Sequence, residues 1–209
     1  ADGAAIGGEI AVDTTDNHAK YDVRVASKGD GFLVTWTTTE GVFGRTLNAD
    51  GSTASIVLGI GAAGGSAPSA AFGGGNWAIV WTRPNDAEAS IRAMTTLGVR
   101  ADILELGPAD LGNVVIAGND DGFLTLWDAQ LDDSYGIQGQ FRDAVGEEDG
   151  DAFLVADGAS LPAITRSNDG FAVAYRILDG LGYAAGRRVS DSGDVTTDAL
   201  RLSPESPGQ

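Results

Sequence analysis

The apolar positions of this chain fall into one short pattern that occurs four times. Asp30-Gly31-Phe32-Leu33-Val34-Thr35-Trp36 returns as Asn76-Trp77-Ala78-Ile79-Val80-Trp81, as Asp121-Gly122-Phe123-Leu124-Thr125-Leu126-Trp127, and as Asp169-Gly170-Phe171-Ala172-Val173-Ala174-Tyr175. The leading aromatics stand at 32, 77, 123 and 171, in steps of 45, 46 and 48, with a second aromatic four residues after each. A fixed period in this range is the mark of a repeat architecture. The Asp-Gly pairs supply hairpin chemistry, since Gly takes positive φ without steric cost. Gly73-Gly74-Gly75-Asn76 does the same in the second repeat. Between the aromatics the stretch is apolar on both faces, as in Ile79 beside Val80 and Leu124 beside Leu126. A strand that is apolar on both faces belongs inside a stack of sheets.

Three weaker segments flank each anchor. A small, branched run precedes it: Val23 to Ala26, Pro68 to Ala71, Val114 to Ala117 and Pro162 to Thr165. A third strand follows with Gly or Ala near its middle, at 42–45, 91–94, 137–140 and 184–187. A fourth alternating strand closes the unit at Ser55 to Leu58, Asp102 to Leu106, Ala152 to Val155 and Thr197 to Leu202. No segment carries a helical period, so the chain reads as all-β. Four antiparallel strands in each repeat predict a β-propeller built of four-stranded blades, about four of them visible over residues 1–203. A β-solenoid is the competing reading, and the hairpin turns favour the propeller. The small first strands suit the crowded axis, and the aromatics suit the wedges between blades.

The first residues carry a further signal. Ala1-Asp2-Gly3 repeats Ala49-Asp50-Gly51, and Glu9-Ile10-Ala11-Val12 then reads as a fourth strand ahead of the first blade. With Thr197 to Leu202 already in place, residues 1–13 supply one outer strand too many. The pattern predicts either a stretch of a longer array or a strand that pairs with another chain, with 204–209 as linker.

Composition narrows the partners. The net charge is −17, from 23 Asp and 7 Glu against 2 Lys and 11 Arg. Nucleic acid needs a basic surface and is excluded as a partner. Adsorption to anionic lipid is disfavoured in the same way, and no apolar run is long enough for membrane insertion. The chain has no Cys, so disulfides and thiolate metal sites are excluded.

Asp121 to Trp127, Tyr135 to Gln140 and Asp143 to Gly146 together resemble the repeats of large secreted bacterial surface proteins, whose units read GGFVVVW…GIYGQRFDADG and often stand beside RTX-type repeats. The resemblance implies a propeller scaffold and a location that is extracellular, at the cell surface or periplasmic. It specifies fold far better than activity. The calcium nonapeptide is not matched, because Gly64-Gly65-Ser66-Ala67 lacks its Asp, and the sialidase Asp-box is not matched either.

Candidate chemistry rests on carboxylates. His18 is the only His and reads as an exposed loop residue. The loops joining strands two and three, and four and one, share one propeller face. They carry Glu40, Asn85, Asp86, Glu88, Asp128, Asp132, Asp133 and Asp179, with Asp13, Asp16 and Asp157 beside them. Asp86, Glu88, Asp128, Asp132, Asp133 and Asp179 are the expected binding rim for a protein or glycan partner. Oxygen ligands suit Ca²⁺, and Asp128, Asp132 and Asp133 are its densest candidate, without the spacing of an EF-hand loop. The Glu147-Glu148-Asp149-Gly150-Asp151 run reads as a solvated turn on the opposite face, and Phe43, Tyr135 and Tyr183 as exposed handles. The expected function is a non-catalytic binding or assembly module, with self-association or membership of a longer array among its forms. Two alternatives stand beside it: a carbohydrate-active enzyme using paired carboxylates, and a structural subunit of an extracellular assembly.

Overall fold

The computed structural model describes residues 8–14, 18–83, 88–96, 98, 100–108, 113–132, 134–179, 182–196 and 198–203. Among the described residues sixteen strands form four antiparallel sheets of four, each in simple meander order. Blade I holds β1 (Tyr21–Ser27), β2 (Gly31–Thr38), β3 (Gly41–Asn48) and β4 (Leu58–Gly61). Blade II holds β5 (Ser66–Gly73), β6 (Asn76–Arg83), β7 (Glu88–Met94) and β8 (Leu104–Pro108). Blade III holds β9 (Val114–Gly118), β10 (Gly122–Gln130), β11 (Tyr135–Asp143) and β12 (Phe153–Asp157). Blade IV holds β13 (Ala159–Ser167), β14 (Gly170–Ile177), β15 (Tyr183–Val189) and β16 (Leu200–Arg201). The first strands pack on one another in succession, β1 on β5, β5 on β9 and β9 on β13, which sets them around the axis of a β-propeller. No helix among the described residues is long and apolar enough to cross a membrane.

Strand alternation gives each blade two unlike faces. On β6, Trp77, Ile79 and Trp81 turn toward blade I, where they meet Leu33, Val42, Leu58 and Ile60. Ala78 and Val80 of the same strand turn toward blade III and meet Phe123 and Trp127. Leu124 and Leu126 meet Phe171, Val173 and Tyr175 of blade IV. In blades II to IV both anchor aromatics therefore point backward, into the small or aliphatic forward face of the blade before. The period of four residues between them is what puts both on one face of a strand.

Two features set the joints. At the inner end of the II–III joint the blade backbones nearly touch: a Cβ on Gly118 would lie 2.0 Å from the Phe72 carbonyl oxygen, so only Gly fits there. At the rim, third-strand arginines reach back to the outer strand of the preceding blade. Arg92 donates to the Ile60 carbonyl at 2.6 Å, and Arg187 donates to the Val155 carbonyl at 2.8 Å.

The expected strand at Glu9 to Val12 is corrected: residues 8–14 form no strand. A ladder needs a neighbouring strand, and none lies beside this segment among the described residues. It is held instead by Arg45, whose Nη1 donates to the Val12 carbonyl at 2.7 Å. The fourth strands of blades I and II also begin two or three residues later than the alternation predicts, at Leu58 and Leu104. Residues 46–55 first make a side loop, in which Thr46 oxygen accepts from the Ala54 amide.

Candidate functional site

The loops between second and third strands, and between one blade and the next, gather at the end of the axis where the first strands begin. Three of those four strands carry the same defect there. Asp22, Ala67 and Leu161 adopt φ of 50°, 48° and 56°, the left-handed region that residues with a side chain avoid. At each, the pairing with the second strand shifts register, so each is a bulge. Such backbone costs about 1–3 kcal/mol per residue, and it persists only where the surroundings hold it. Bulges at a propeller mouth re-aim side chains toward the opening.

Carboxylates hold two of the bulges. Asp22 Oδ2 accepts from the Ala67 amide of the next blade at 3.3 Å, and the Thr37 hydroxyl lies 3.5 Å from the same oxygen. Asp128 Oδ1 accepts from the Leu161 amide at 3.1 Å, while its Oδ2 accepts from Asn113 Nδ2 at 2.6 Å. The two differ in exposure. Asp22 is open to solvent, whereas Asp128 is fully buried. Burial pushes the Asp128 carboxyl above the ordinary aspartate range, against the lowering effect of its two donors. Two more polar contacts are made by the chain leading into this strand and by the turn after β2. Lys20 Nζ stands 3.3 Å from Asp13 Oδ2, and His18 Nε2 stands 3.6 Å from Glu40 Oε1.

The expected rim is only partly assembled. Asp86 and Asp133, with Asn85 and Asp16, lie outside the described residues. Glu88 pairs with Arg83, which also stands 3.5 Å from Glu105. Asp179 is exposed and accepts from the Gly182 amide through its backbone oxygen, closing its loop. Asp157 accepts from the Ser134 hydroxyl at 2.7 Å. For calcium, Asp128 is fully buried with each oxygen already accepting a hydrogen bond, Asp132 is exposed, and no group of three His, Asp or Glu converges among the described residues. Asp128 is an inter-blade bolt in this geometry. The aromatic handles are partly used as well: Phe43 stacks on Trp36, and Tyr183 lies under Arg201 at 4.5 Å. On the opposite face, the Glu147 to Asp151 turn folds over a buried Arg142, which Glu148 faces at 3.7 Å.

Sequence reasoning missed Asp22, the exposed carboxylate nearest the bulges. The available signal was the X-Pro pair at Ala67-Pro68 and Leu161-Pro162, which marks an irregular strand start in two repeats.

No protein-family model and no curated protein matches this sequence. Solved structures do match. The chain superposes on a xylan beta-1,4-xylosidase from Bacillus halodurans with a TM-score of 0.55 and 14% identity over 91% of its length. It superposes on the subtype N11 neuraminidase-like protein of a flat-faced bat H18N11 isolate with a TM-score of 0.64 and 12% identity over 88%. A Coprinopsis cinerea GH62 alpha-L-arabinofuranosidase gives a TM-score of 0.51 and 10% identity over 90%. Likeness at these identities establishes the fold. It is a β-propeller. The chain spans 42% of the xylosidase chain, 54% of the neuraminidase-like chain and 71% of the arabinofuranosidase chain. The expectation of a non-catalytic docking module is corrected by these matches, because the propellers that share this blade arrangement include glycoside hydrolases. The carbohydrate-active alternative is the one that agrees with them.

Proposed function

We propose that this propeller acts on glycosides at the loop-bearing mouth, with Asp22 as the carboxylate that meets the sugar. The observation that carries the reading is the exposed Asp22, set on one of three left-handed bulges that ring the mouth. Glycoside cleavage needs two carboxyl groups flanking the scissile bond, one acting as acid and the other as base or nucleophile. Asp22 is fixed through Oδ2 by the next blade, which leaves its orientation settled before substrate arrives. Glu40, exposed on the adjoining turn between β2 and β3 of the same blade, is the candidate for the second group. Asp128 is excluded from that role by its burial and its two donors. Xylosides and arabinofuranosides are the first substrates to try, after the names of the matching structures. Polymeric substrates and the strongly acidic surface agree with a place of action outside the cytoplasm.

The test is turnover of aryl xylosides and arabinofuranosides by the intact chain and by Asp22→Asn. Asparagine keeps an acceptor for the Ala67 amide, so the fold survives the change. The expected result is measurable hydrolysis that falls by about 10²–10⁴ in the variant, the usual worth of an acid–base group. Equal rates in the two proteins, or no hydrolysis across the panel, would reject the reading.

A further inference from the structure

An aspartate side chain reacts most readily with its own backbone when glycine follows it, because glycine has no side chain to shield the next amide nitrogen. The chain holds eight Asp-Gly pairs, at 2–3, 30–31, 50–51, 121–122, 149–150, 157–158, 169–170 and 179–180. Their local sequence makes them alike, but the fold separates them. Gly51 donates its amide to the Asn48 carbonyl at 2.9 Å, and Gly122 donates its amide to Asn119 Oδ1 at 2.8 Å. The Asp30 carboxylate is held by Lys28, and that of Asp169 by Arg188 at 2.8 Å. At Asp157 the side chain turns back on the chain instead. Its Oδ1 accepts from the Gly158 amide at 2.8 Å, and among the described Asp-Gly pairs it is the carboxyl that lies on its own following amide.

The surroundings complete a reactive geometry. The contact holds the Asp157 side chain against the Gly158 nitrogen, so attack on Cγ, the carbon that carries Oδ1, is a step within one preorganised turn. The Ser134 hydroxyl donates to the same Oδ1 at 2.7 Å, where it stabilises the negative charge that builds on that oxygen during attack. Asp157 is exposed, so water reaches the carbonyls that must be hydrolysed. Gly158 has a φ of 61° and is the single residue between β12 of blade III and β13 of blade IV. Its carbonyl accepts from the Leu178 amide at 2.8 Å. The pair therefore sits in the covalent link between two blades, at the mouth.

We propose that Asp157-Gly158 is a self-modification site, at which Asp157 converts through a cyclic imide to isoaspartate. The Gly158 nitrogen loses its proton and bonds to Asp157 Cγ, one carboxyl oxygen leaves as water, and a succinimide ring results. Water from solvent then adds to one of the two ring carbonyls and breaks the bond from that carbon to nitrogen. Opening at Cγ restores aspartate, and opening at the backbone carbonyl leaves the chain running through Cβ and Cγ. One water leaves and one enters, so the conversion needs neither oxidant nor cofactor. The product places an extra methylene in the main chain between blades III and IV, just ahead of the Leu161 bulge that Asp128 holds. The modification is independent of the glycoside reading, and its test uses no substrate.

The experiment ages the intact chain in heavy-oxygen water at neutral pH and physiological temperature, once folded and once in denaturant. Peptide mapping by mass spectrometry with electron-transfer fragmentation locates isoaspartate, and methyl transfer by an isoaspartyl methyltransferase counts it. In the folded chain Asp157 is expected to convert at least about tenfold faster than Asp50 or Asp121, and to gain one heavy oxygen. In denaturant the Asp-Gly pairs are expected to convert at similar rates, because the geometry that separates them is gone. Ser134→Ala, checked for folding by circular dichroism, is expected to slow the conversion at Asp157 and at no other pair. Similar rates at all pairs in the folded chain, or no isoaspartate at Asp157, overturn the proposal. An advantage of Asp157 that persists in denaturant overturns it as well, since local sequence would then be the cause. So does a folded Ser134→Ala variant that converts at Asp157 as fast as the intact chain.

Discussion

Blade II and blade IV are built from the same repeat, yet they differ in what surrounds them. Blade II sends Trp77 and Trp81 into blade I and receives Phe123 and Trp127 from blade III, so β6 is buried along almost its whole length. Blade IV sends Phe171 and Tyr175 into blade III but receives no such aromatic pair among the described residues, and the other face of β14 stays partly open. The difference teaches that the stabilising unit is the joint between blades. Each joint brings together one aromatic face and one small or aliphatic face, as expected for a repeat array held by nearest-neighbour interfaces.

The largest effect lies in the fully covered joint. Trp81→Ala removes a buried ring that lies on Gly61 and Gly65, and should lower unfolding stability by about 3–5 kcal/mol in a denaturant titration. A loss below about 1 kcal/mol, the level of a surface change, would break the contrast. Next comes Gly118→Ala, which forces a methyl group against the Phe72 carbonyl and should cost about 1–3 kcal/mol through overpacking.

The two ends of the III–IV joint give a finer contrast, because each is closed by an aspartate. Asp128→Ala strands the Leu161 amide and should cost about 1–3 kcal/mol, whereas Asp128→Asn keeps an acceptor and should cost less. The raised pKa of Asp128 means that the folded state holds this proton more tightly than the unfolded chain does. Its share of the stability is thus present at low pH and falls as pH rises through the folded value, and Asp128→Asn should remove that slope. Asp191 behaves in the opposite sense. Hydrogen bonds from Arg166, at 2.5 Å and 3.1 Å, and from Asn119 hold its carboxyl below the usual range. Its contribution is present above the unfolded value and is lost as pH falls through the lowered one. The pair is well exposed, so a double-mutant cycle on Arg166 and Asp191 should give at most about 1 kcal/mol, the smallest effect of the set.

Much of the scaffold was legible in the sequence. Four anchors at a near-constant period gave the blades, and all four predicted second strands lie where the Asp-Gly or Gly-rich turns put them. The direction of the wedges was not legible, because a period of four residues fixes a shared face without saying which neighbour that face meets. The site was less legible still. Asp128 looks like a rim carboxylate in the sequence but is buried as a bolt, while Asp22, which the sequence reading passed over inside a first strand, is exposed on a bulge. That separation arises from how adjacent blades stack, a long-range property with no local spacing to announce it. Residues 8–14 show the same limit. Their repeat alignment with residues 56–62 was readable, but a strand requires a partner that the alignment cannot supply.

The most direct test of the joint as the stabilising unit compares two equivalent rings, Phe171 and Phe32. Phe171 is fully buried against blade III, and Phe32 occupies the same repeat position on the half-open face of blade I. Chemical denaturation of the two alanine variants should give a loss of about 3–5 kcal/mol for Phe171→Ala and about 1 kcal/mol for Phe32→Ala. Equal losses at the two positions would contradict the account, since stability would then follow the blade itself and not the joint.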